Sequence, residues 1–183
     1  MLWLWILIGL LVVVIFALVV YFNRFNVLGN RIDNSLSQIN VQLKRRADLI
    51  PNLLKTVKGF AKHEKEVIKE VTDARKALVG AKDLEKKVKA DKNLEGALGR
   101  LFAIAEGYPD LKANQNFLEL QRELSATEDK VAYARQYYND SILSYNNLCK
   151  TFPGIMFARI YGKQAREYLK IAEVEKKVPE VSF

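Results

Sequence analysis

A chain of 183 residues with 29 Lys and Arg against 21 Asp and Glu has room for one domain plus an appendage, and carries a formal charge of +8. Its single Cys excludes an intrachain disulfide, and one His with one Cys excludes a tetrahedral metal site of usual composition within one subunit. The basic excess raises nucleic acid as a partner, but the aromatic residues are not interleaved with the basic ones as stacking platforms and no recognition module is present, so no nucleic-acid partner is expected.

The first element is "LWLWILIGLLVVVIFALVVYF", Leu2 to Phe22, which has no charged residue. Roughly 20 apolar residues cross about 30 Å of hydrocarbon, so residues 1–22 read as a transmembrane anchor. A cleaved signal peptide would carry a basic n-region and a small-residue cleavage site, and neither is present. Trp3, Trp5 and Tyr21 suit the two membrane interfaces. Arg24 and Arg31 flank only the C-terminal side, which predicts a single-pass protein of the cell membrane with its N-terminus outside and residues 23–183 facing the cytoplasm. Membrane lipid is therefore an expected partner.

Apolar residues from Ile32 through Leu36, Ile39, Leu43, Ala47, Ile50, Leu54, Val57, Ala61, Ile68, Val71, Ala74 and Leu78 recur at steps of three and four, with a gap at Glu64. That period predicts one long helix, kinked or hinged at Pro51 and not ended there, because the stripe is in phase on both sides. "GAKDLEKKVKADKN", Gly80 to Asn93, mixes charge signs and reads as a connection. Asn93 then caps a helix over Leu94 to Glu106, which stops at a left-handed Gly107 and Pro109. A second long helix runs from Asn114 to about Thr151, with Leu124, Val131, Tyr138 and Tyr145 at seven-residue spacing for packing against another helix, and ends at Pro153-Gly154. Only the tail "VPEVSF" has strand-like alternation. The expected fold is all-α, an N-terminal transmembrane helix followed by a long antiparallel bundle.

Chemistry is sparse. His63-Glu64 would need a second histidine at position 67 for a zincin helix, and that residue is Val67. No dinucleotide fingerprint, phosphate loop or nucleophile elbow occurs, and Cys149 reads as a small buried hydrophobe. No catalytic, cofactor or metal residue is expected, and the chain is not expected to be an enzyme. Tyr138-Asn139 and Tyr145-Asn146 are seven apart and read as a polar layer that fixes register inside the bundle, with a ligand pocket as the alternative. The line Lys55, Lys58, Lys62, Lys65 and Lys69 lies one residue after the apolar seam. It reads as a flank for Glu119, Glu123 and Asp129, within the chain or in a neighbour, or as a surface for anionic lipid. Residues 152–162, "FPGIMFARIYG", are too short to span a membrane but concentrate Phe152, Ile155, Met156 and Phe157. They are expected to pack on the bundle first and to make a membrane or subunit contact second.

Three stretches in order, "IDNSLSQINVQLKRRADLIPNLLKTVKGFAKHE", "YPDLKANQNFLELQRELSATEDKVAYARQYYNDSILSYN" and "TFPG", resemble the LemA family of bacterial membrane proteins. The resemblance implies a membrane helix followed by a long antiparallel helical domain without an established catalytic activity. It also implies an envelope role such as magnetosome membrane formation, and genes near a membrane metalloprotease. The expected function is a membrane-anchored scaffold that forms a homo-oligomer; the alternative is an adaptor or regulator of a membrane protein partner such as that protease.

Overall fold

The computed structural model describes residues 1–169, and the strand-like tail lies outside them. Among the described residues every regular element is helical: α1 (Leu2–Phe60), α2 (Lys65–Gly80), α3 (Leu84–Ala105), α4 (Pro109–Lys112), α5 (Gln115–Lys150) and α6 (Gly154–Ile160). The chain forms two compact units. The first draws on Met1–Ser37 and on the chain from Arg135 onward; the second is Gln38–Ala134.

In the second unit the long stripe is real, but it does not belong to one helix. The chain breaks at Ala61 to Glu64, and α2 folds back so that Arg75 Nε donates to the Ala47 carbonyl of α1 at 2.8 Å. A single helix would leave the stripe without cover. Val67, Ile68, Val71 and Leu78 of α2 are buried, as are Ile39, Leu43, Ile50 and Val57 of α1. The gap at Glu64 therefore marks a turn, while Pro51 sits inside α1 as a tolerated interruption.

The charged run after Gly80 is also helix. Asp83, not Asn93, caps α3 by accepting from the Lys86 amide at 2.8 Å, which satisfies one of the orphan amides of the first turn. Ala90, Leu94, Leu98 and Leu101 then face the core. Gly107 does not take the left-handed conformation expected of it, and Pro109 opens α4 where its missing amide costs nothing. Asn114 Oδ1 accepts from the Phe117 amide and starts α5 where the sequence places it.

In the first unit, Phe25 and Ile32 of α1 pack with Ile142, Tyr145, Leu148 and Cys149 of α5 and with Ala158 of α6. The N-terminal turns of α1 stay exposed and wholly apolar, the one described stretch long and apolar enough to cross a membrane. A sharp turn after α5 brings α6 back so closely that a Cβ on Gly154 would lie 2.2 Å from the Leu148 carbonyl oxygen. Only glycine fits there.

Candidate functional site

The five lysines do not form one line. Lys55 and Lys58 are on α1, Lys62 is in the turn, and Lys65 and Lys69 are on α2. Lys55 lines one hollow with Glu119 and Glu123 of α5, and Glu123 itself pairs with Arg45 at 3.7 Å. Lys58, Lys62, Lys65 and Lys69 line another, of about 570 Å³, with Thr72, Asp73 and Lys76. Its carboxylate, Asp73, is taken by Lys76 at 3.5 Å. All four lysines are exposed, and none makes an ion pair among the described residues. The fold-back at Ala61 to Glu64 thus gathers positive charge around one concavity, where it favours an anionic surface.

The basic triplet Lys44-Arg45-Arg46 contains a residue that the sequence reading passed over. Arg46 is 2% exposed, donating to Asp91 of α3 at 2.9 Å and to Glu128 of α5 at 3.0 Å. Arg46 falls on the seam with Ile39, Leu43 and Ile50, and that spacing was the available signal. Burial pushes the half-exposed Glu128 carboxyl up, and the nearby Arg46 only partly offsets it. This cluster ties three helices together in the core.

Asn139 and Asn146 do not form a layer between helices. Asn146 accepts from the Arg166 amide and donates to the Arg166 carbonyl, both at 2.8 Å. Asn139 does the same with Leu169, at 2.9 and 3.3 Å. Seven helical residues rise about 10.5 Å, and three extended residues span at most about 10–11 Å. The two asparagines therefore hold an extended segment by its backbone. Arg166 adds a contact over the Tyr145 ring, 5.3 Å from its centroid, and an ion pair to Asp33 at 3.3 Å.

The apolar segment divides in two. Phe157 stacks on Tyr21 with ring centroids 4.2 Å apart, and Tyr161 donates to the Leu18 carbonyl at 2.7 Å. Ile155 is half-buried, whereas Phe152, Met156 and Ile160 are exposed. Cys149 is buried, and its burial pushes the thiol up, the opposite of what a nucleophile needs. His63 is exposed in the turn between α1 and α2.

The LemA family model matches residues 35–183. Among similar proteins, the magnetosome protein MamQ of Magnetospirillum gryphiswaldense is 28% identical over 184 residues, covering 86% of this chain and 68% of MamQ. Protein LemA of Metamycoplasma hominis is 30% identical over 138 residues, 73% of this chain and 63% of that protein. Magnetosome protein MamQ 2 of Paramagnetospirillum magneticum is 26% identical over 180 residues, 84% of this chain and 66% of that protein. The chain thus spans about two thirds of the length of these relatives. Together with the apolar N-terminal helix, these matches describe a membrane-associated helical protein.

Proposed function

This chain belongs to the LemA family, and from that premise we propose that it is a membrane-anchored helical scaffold that associates with copies of itself, with the domain after Phe22 in the cytoplasm. The observation that carries the reading is the hollow of Lys58, Lys62, Lys65 and Lys69, whose one carboxylate is already paired. Four ammonium groups around one concavity repel one another, and an acidic surface relieves that repulsion. Copies anchored in one plane meet at raised effective concentration. An acidic face of a neighbouring copy on this hollow makes a heterologous contact, which closes into a ring or extends as a filament. Exposed charge pairs contribute only about 0–1 kcal/mol each, so they set register while apolar contacts supply most of the association.

The test is simultaneous replacement of Lys58, Lys62, Lys65 and Lys69 by Glu in the full chain, reconstituted in lipid and crosslinked. Loss of ordered assembly with unchanged helicity supports the reading. A wild-type protein that stays monomeric at high density in lipid overturns it, and the hollow then belongs to an acidic segment of a different membrane protein. Labelling of intact cells by an impermeant maleimide, at a cysteine placed at exposed Lys82, would overturn the cytoplasmic orientation.

A further inference from the structure

We infer that α6 is a second membrane-contact element, a short interfacial helix that lays Phe152, Met156 and Ile160 into the lipid beside the anchor. The inference rests on residues 1–22 spanning the membrane and goes beyond that reading.

Two contacts set its depth. Tyr161 donates to the carbonyl of Leu18, and Phe157 lies flat on Tyr21 at an interplanar angle of 8°. Leu18 is four residues before the end of the uncharged run at Phe22, hence about 6 Å inside it at 1.5 Å per residue. Interfacial helices bury their apolar faces by about 5–10 Å. The anchor therefore holds α6 at the level where such a helix rests.

The free face of α6 has the matching chemistry. Met156 and Ile160 are one turn apart and 56% and 63% exposed, and Phe152 in the preceding turn is 80% exposed. In water three large apolar side chains within nine residues form a costly patch. In the interface they are solvated by acyl chains. Lys150, Arg159 and Arg24 are exposed around this end of the unit and reach the headgroup phosphates from there. Lipid is favoured over a protein partner because the patch is continuous with the exposed apolar turns of α1 through Tyr161 and Phe157.

The test uses the full chain in bilayers of equimolar phosphatidylglycerol and phosphatidylcholine, with a nitroxide at Met156→Cys or Ile160→Cys in a Cys149→Ala background. Val13→Cys serves as the label inside the span and Asp140→Cys as the label in water; circular dichroism confirms each variant's helicity. Oxygen should relax the Met156 and Ile160 labels severalfold more than a water-soluble nickel chelate does, as at Val13 and opposite to Asp140. Nickel access prevailing at both positions, with Val13 still in lipid, overturns the inference and leaves the anchor standing. Low access to both reagents also overturns it, in favour of a protein covering that face. A Val13 label in water removes the anchor and this inference together.

Discussion

Arg75 Nε donates to the Ala47 carbonyl at 2.8 Å, and Ala47 is the residue whose carbonyl Pro51, lacking an amide, cannot reach in the helical ladder. The proline thus opens an acceptor on α1 and α2 fills it. A kink is not needed to explain the residue; a docking point for the fold-back is.

A double-mutant cycle should expose that coupling. Arg75→Met in the Pro51 background strands an acceptor on buried Ala47 and should cost about 1–3 kcal/mol. In a Pro51→Ala background the new amide satisfies Ala47, and Arg75→Met should cost about 1 kcal/mol less. Urea melts of the four proteins check this; equal costs in both backgrounds would remove the coupling.

The buried Arg46 responds differently to loss of one partner and of both. Asp91→Leu leaves the guanidinium short of a buried counter-charge and should destabilise by about 3 kcal/mol. Arg46→Met together with Asp91→Leu should recover most of that loss, because Glu128 is half exposed and returns to water. A double variant no more stable than the single one would show that the pair contributes net stability.

Acid should loosen the start of α3. Hydrogen bonds from the Lys86 side chain and amide hold the Asp83 carboxyl below its ordinary value of 3.8. A folded-state value below the unfolded one means stabilisation that is present above about pH 3.8 and lost as pH falls through the lower, folded-state value. Asp83→Asn, which keeps the cap but cannot titrate, should flatten that acid limb in pH-dependent melts. An unchanged limb would place the titration elsewhere.

The two asparagines should act as a pair. Asn139→Ala with Asn146→Ala removes four hydrogen bonds to residues 166 and 169 without touching the apolar contacts of Phe25, Ile142 and Leu148. Hydrogen exchange should lose protection at the Arg166 and Leu169 amides while α5 stays protected. Protection unchanged at those amides would show that the Arg166 contacts to Tyr145 and Asp33 hold the segment alone.

The all-α class, the long apolar N-terminal helix and the start and end of α5 were legible in the sequence, because each depends on neighbours close along the chain: uncharged length, a helix start at Asn114, a stop at Pro153-Gly154. The lysines and the apolar segment were legible as residues but not as surfaces. A stripe of period 3.6 is the same whether a helix continues or turns back on itself, so only the fold-back that brings Arg75 to the Ala47 carbonyl decided that the chain reverses at Ala61 to Glu64, dividing Lys55 from the lysines of the hollow. Seven-residue spacing of Asn139 and Asn146 is equally silent about what lies opposite. An amide satisfies its donors and acceptors with any backbone at the right rise, and it was the return of the chain past α6 that placed Arg166 and Leu169 there.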